Sequence, residues 1–149
     1  MTDAAVVIGV GTRFRHDDGI GPIALDRLAD LGLGADLVEL DGEPSRVIDA
    51  WDGRALAVVI DAVTTGAAPG TIHRFGPAAL AGVLSGTTSS HAAGPGDAIA
   101  LATALDRMPL HLVVIGVEGA DFSQGEGLSP DVAASLDEVV AAVRAELGP

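Results

Sequence analysis

The chain has 149 residues, nearly half of them apolar, yet only four are aromatic: three Phe, one Trp and no Tyr. Eight basic residues against 21 acidic ones leave a formal charge of −13, which removes the electrostatic basis for binding nucleic acid. Cysteine is absent, so disulfides, thiolate metal sites and cysteine nucleophiles are excluded together.

A core without large aromatics must be built from Ala, Val, Leu and Ile, which suits helices packed on a mostly parallel sheet. The length fits one domain over residues 1–149. No apolar run approaches the ~20 residues that span a bilayer, and the N-terminus lacks a basic n-region and an apolar h-region. A cytoplasmic protein with no membrane insertion is expected.

Residues 4–10 form a continuous apolar run, the pattern of a strand covered on both faces. A helix is predicted over 19–31, with Ile20, Ile23, Ala24, Leu28 and Leu31 inward, Pro22 in its first turn and Gly32 and Gly34 ending it. Residues 35–40 read as a second strand closed by Asp41-Gly42. A short helix over 44–51 carries Val47, Ile48 and Trp51 on one side, and 56–60 is a third buried strand ending at Asp61.

A fourth strand is predicted over 71–75. Only nine residues separate it from Asp61, too few for a crossover helix, so it should run antiparallel to the others. A short helix or turn over 77–84 and a polar loop over 85–90 follow. A helix then runs from His91 or Pro95 to Asp106, and a fifth strand occupies 110–117. A glycine-bearing acidic loop over 119–127 leads into a closing helix from Ser129 or Pro130, with Val132, Leu136, Val139, Val140, Val143 and Leu147 inward. The alternation predicts one α/β domain, a three-layer α/β/α sandwich on a five-stranded mixed sheet.

Open α/β sheets bind ligands beyond the carboxyl ends of their strands, near a reversal of strand order. Asp17, Asp18, Asp41, Asp61, Glu118 and the trio Ser89, Ser90 and His91 are the polar groups expected at that rim. Dinucleotide binding fails, because Gly9-Val10-Gly11 lacks the third glycine, whose place Phe14 takes, and the aspartate pair repels phosphate. A Gly-x-Ser-x-Gly elbow, a His-Glu-x-x-His motif and any lysine are all absent.

What remains is a cation site of Asp18, Asp61 and His91, with donors suited to nickel, zinc or manganese. Three protein ligands leave positions open for water or for a partner's ligand. The residues alone leave plainer roles equally open. Asp17 or Asp18 serves as well to cap the next helix, Asp61 to close a strand, and His91 to begin a helix. His16, His73 and His111 read as structural.

The segments GVGTRFRHDDGIGP (9–22), LDGEP (40–44), VIDAV (59–63), APGTIHRF (68–75), SSH (89–91) and VIGVEGADFSQGEGLSP (114–130) together resemble the hydrogenase maturation peptidases. The resemblance spans nearly the whole chain and implies the same five-stranded mixed sheet with one antiparallel strand. It implies an aspartyl-type endopeptidase that removes the C-terminal extension of the nickel-iron hydrogenase large-subunit precursor after nickel insertion. The family's metal-binding triad falls on Asp18, Asp61 and His91, which would act through nickel supplied by the substrate. Zinc or cadmium would fit the same site. A separate general base is not implied; Asp17 and Asp41 are the nearest candidates. Glu43 departs from the pattern, standing where relatives often carry a second glycine. A monomer is expected. The rival reading is a non-catalytic metal- or partner-recognition module on the same fold.

Overall fold

In the computed structural model, which describes residues 4–77 and 95–148, the apolar runs form one sheet. Strands β1 (Ala5–Val10), β2 (Asp36–Leu40), β3 (Leu56–Val63), β4 (Ile72–Phe75) and β5 (His111–Glu118) take the order β2-β1-β3-β5-β4. The first four neighbours pair in parallel, and β4 pairs antiparallel with β5 at the edge. The short link from β3 to β4 therefore has the direction its length requires.

Helices α1 (Ile20–Ala29), α2 (Pro44–Trp51), α3 (Pro95–Leu105), α4 (Pro130–Ala134) and α5 (Leu136–Leu147) complete the layers. Strand alternation divides the core. Val6, Ile8, Val59 and Val114 meet Val47, Ile48, Trp51, Ile99 and Ala102 from α2 and α3. Val7, Val58, Ile60 and Ile115 meet Ile20, Leu28, Val139 and Val143 from α1 and α5. Trp51 is fully buried, and its indole N–H is satisfied by the Arg107 carbonyl at 3.0 Å. None of the helices among the described residues is long and apolar enough to cross a membrane.

Four local expectations are corrected. The first helix stops at Ala29, leaving Leu31 exposed, and a 3-10 turn, His16–Gly19, precedes it. The third strand continues through Asp61 to Val63 because β5 keeps pairing with it up to Glu118. The fifth strand starts one residue later and also ends one later, on Glu118. The closing helix is two helices. At Ser135 the N–H bonds to the Val132 and Ala133 carbonyls and the hydroxyl donates to Val132, a tightened turn that leaves the helical ladder. Of the helix or turn expected over 77–84, residues 78–84 lie outside the described residues, as do the loop expected over 85–90 and the helix start at His91.

The glycines of the first loop act in packing. A Cβ on Gly9 would lie 2.6 Å from the Gly21 carbonyl oxygen, and one on Gly21 would lie 2.5 Å from that of Ile60. Helix α1 is thus seated directly on the backbones of β1 and β3. Backbone atoms cannot yield as a side-chain tip can, so Gly21→Ala is expected to destabilise by about 1–3 kcal/mol. A urea midpoint unchanged by that substitution would contradict the close approach.

Candidate active site

The four parallel strands deliver their carboxyl ends to one edge of the sheet. The chain leaves β1 toward β2 on one side and returns to β3 on the other, so the topological switch falls between β1 and β3. Asp18 follows β1, and Asp61 lies in β3 one residue beyond the Gly9–Ile60 pair. The two predicted carboxylates meet at the switch.

Asp61 is 8% exposed. Its position in the strand alternation puts it on the face of Ala57 and Val59, the side covered by α2 and α3. Burial, and secondly the neighbouring Asp18 carboxylate, push the Asp61 carboxyl well above the usual range, against the backbone N–H of Ala62. Two carboxylates arranged this way repel each other in the free protein, and a divalent cation between them would offset that repulsion.

Asp18 is half-buried and accepts the Thr12 N–H at 2.8 Å. The 3-10 turn folds it back against Gly11, whose φ of +144° and close approach to the Asp18 carbonyl exclude a side chain. Arg13 anchors this loop to α1 through Asp26 and to β2 through Glu39, each at 2.7 Å.

Asp17 has a different task. It is fully buried and accepts from the N–H groups of Ala120, Asp121 and Ser129 and from the Ser129 hydroxyl, at 2.7–2.9 Å. Burial alone would raise its carboxyl, but these donors outweigh it and hold the group below its ordinary value. Enclosed and saturated with donors, Asp17 ties the loop after β5 to the loop after β1 and is not placed to take a proton from water. Asp41 is exposed and accepts the Glu43 N–H at 3.0 Å, closing a tight turn. Glu43 caps α2, accepting from Ser45 and the Arg46 N–H, so the departure from the family pattern has a structural use.

His91, with Ser89 and Ser90, lies outside the described residues. Helix α3, which follows His91 in the chain, packs on the face to which Asp61 belongs. Among the described residues there is no group of three His, Cys, Asp or Glu placed to hold a metal ion. The donors described are therefore the Asp18–Asp61 pair.

Glu118 was expected at the rim but carried no assigned role. It is 2% exposed and accepts from the Thr65 hydroxyl at 2.6 Å, the Thr65 N–H at 2.7 Å and the Gly66 N–H at 3.3 Å. His73 lies 3.2 Å away and stacks on Phe75. Glu118 thereby holds the loop after β3 in place, as Asp17 holds the loop after β5. The only signal in the sequence is a charge closing an apolar strand.

A family model described as HycI, hydrogenase maturation protease, matches residues 36–146. That span contains Asp41, Asp61 and Glu118; Asp17 and Asp18 precede it. The chain is 30% identical over 132 residues to the hydrogenase expression/formation protein HupD of Thiocapsa roseopersicina, covering 85% of this chain and 60% of that protein. It thus spans about six-tenths of the relative's length. In fold it is similar to the hydrogenase maturating endopeptidase HybD from E. coli, with a TM-score of 0.84 and 22% identity over 96% of this chain and 91% of that one. A second similar structure is the NiFe hydrogenase maturation protease HybD from Thermococcus kodakarensis, with a TM-score of 0.79 and 25% identity over 97% and 99% of the two chains.

Proposed function

Because the chain belongs to the hydrogenase maturation protease family, we propose that it is an endopeptidase that trims the C-terminal extension of a nickel-iron hydrogenase large-subunit precursor. In this reading nickel arrives as part of the substrate, already inserted in the precursor, and is recognised by Asp18, Asp61 and His91. The observation that carries it is the Asp18–Asp61 pair, with one member buried, at the switch point of the sheet.

The residues then divide the work. Asp61, rigid within β3, and Asp18, held by Thr12 and Gly11, present two oxygen donors whose mutual repulsion falls when a cation comes between them. The free protein should hold metal weakly, because few protein donors face an open edge until the substrate's own ligands complete the shell. A divalent ion beside the scissile bond supplies polarisation of its carbonyl or activation of water. Asp17 and Glu118 keep the flanking loops fixed while the precursor docks.

The test is to incubate the protein with nickel-loaded and nickel-free precursor and to follow the mass of the large subunit. Loss of a C-terminal peptide from the loaded form alone is the expected result. Equal cleavage of both forms would overturn nickel recognition, and cleavage of neither would overturn the peptidase reading.

A further inference from the structure

The loop that carries Asp18 also displays the side chain of Phe14, 61% exposed. A single exposed apolar residue is ordinary on a protein surface. Phe14 is set apart by its support. Its carbonyl accepts the Gly125 N–H at 2.8 Å and the His16 N–H bonds the Gly125 carbonyl at 2.9 Å, which together make a single isolated parallel bridge between Arg15 and Gly125. On the other side, Arg13 is clamped by Asp26 and Glu39. One of the chain's four aromatics is therefore held out to solvent on backbone fixed at both flanks, four residues before Asp18.

Beside it stands Arg15. The Arg15 Nε donates to the Phe122 carbonyl at 3.3 Å, and no carboxylate pairs with its guanidinium among the described residues. In a chain with 21 acidic residues and eight arginines, five other arginines hold a carboxylate within 3.0 Å. A rigid aromatic next to a guanidinium that is bonded to a carbonyl and not to a carboxylate among the described residues, on the loop that carries Asp18, has the make-up of an interface anchor.

We infer that Phe14 and Arg15 form a docking lip for the precursor large subunit, receiving an apolar side chain flanked by an acidic group close to the scissile segment. The occupant follows from continuity. The lip and Asp18 lie on one short loop, four residues apart, so a polypeptide whose bound ion reaches Asp18 comes close to the loop that displays Phe14. This inference rests on the peptidase reading above. Burying an aromatic ring against the partner costs little conformational entropy, because the backbone beneath it is already fixed.

The test uses nickel-loaded precursor with the native protein and with Phe14→Ala, Phe14→Leu, Arg15→Gln and Leu110→Ala. Leu110 is the control, 80% exposed and located just before β5, at the opposite edge of the sheet. Phe14→Ala is expected to raise the half-saturating precursor concentration about tenfold, equivalent to ~1.4 kcal/mol, with a much smaller effect at saturation. Phe14→Leu should recover most of that loss, Arg15→Gln should weaken binding and flatten its salt dependence, and Leu110→Ala should match the native protein. Calorimetric binding of the precursor measures the same differences without cleavage. Failure of the native protein to cleave would count against the peptidase reading, while the lip would still be judged by binding. Phe14→Ala binding as tightly as native, or Leu110→Ala losing as much, would overturn the lip.

Discussion

Asp61→Asn is expected to lose processing of the nickel-loaded precursor by about a thousandfold or more while melting at a higher temperature than the native protein. The loss follows from the proposed role. An amide is a poor partner for a divalent cation, and several kcal/mol of transition-state stabilisation at ~1.4 kcal/mol per decade amounts to three decades or more. The gain in stability follows from burial. The Asp61 carboxyl is raised above its unfolded value, first by desolvation and then by Asp18, so its ionised form is disfavoured in the folded protein.

The sign of the pH dependence is definite. Below the unfolded value of about 3.9 the group is protonated in both states and costs nothing; as pH rises through the folded value the penalty grows to its full size. The metal-free variant should therefore gain most at pH 7–8 and nearly nothing at pH 4, with each kcal/mol raising the melting temperature by about 2–4 °C. Thermal melts of both proteins across that range provide the check. An unchanged or lower melting temperature at neutral pH would contradict the buried like-charge pair, and normal processing would remove Asp61 from the site. Such opposed effects on stability and activity are common where a site is built at the expense of the fold.

Asp17→Ala should have the reverse profile, with a loss of stability of about 3–5 kcal/mol. The substitution strands three backbone N–H groups and a hydroxyl that now converge on one buried carboxylate. Each unsatisfied buried group costs about 1–3 kcal/mol, moderated where relaxation admits water. Asp17→Asn should fall between, since one amide oxygen can serve only some of those donors. Because burial opposes and the donors lower the Asp17 value, its contribution is present above the unfolded value of about 3.9 and is lost as pH falls through the folded one. Urea midpoints at neutral and acid pH measure this. A midpoint for Asp17→Ala equal to the native one would show that the loop after β5 does not depend on it.

Adjacent aspartates thus have opposite fates, and nothing in the dipeptide distinguishes them. Asp17 reaches residues more than 100 positions away, whereas Asp18 turns back to Thr12 and toward Asp61. Separation in the chain also hid the role of Glu118, whose donors at Thr65 and Gly66 lie 53 and 52 positions away. Glu43 was visible only as a departure from a pattern, and its use emerges as a cap for α2.

By itself the sequence determined the five strands and the order of most helices among the described residues, because helix and strand periods, turn glycines and proline positions act over a few residues. It also determined the direction of β4, since nine residues cannot cross a sheet, and it nominated Asp18 and Asp61 through the rule that ligands gather at strand carboxyl ends. Only the tertiary structure decided how far β3 runs, where the closing helix breaks and what the first-loop glycines are for. Strand ends depend on a partner's hydrogen bonds, and Gly9 and Gly21 are required by backbones that approach to within a Cβ's width. It likewise decided that Asp61 is buried beside Asp18, because burial and like-charge repulsion arise only once β1 and β3 are paired in register and covered by helices.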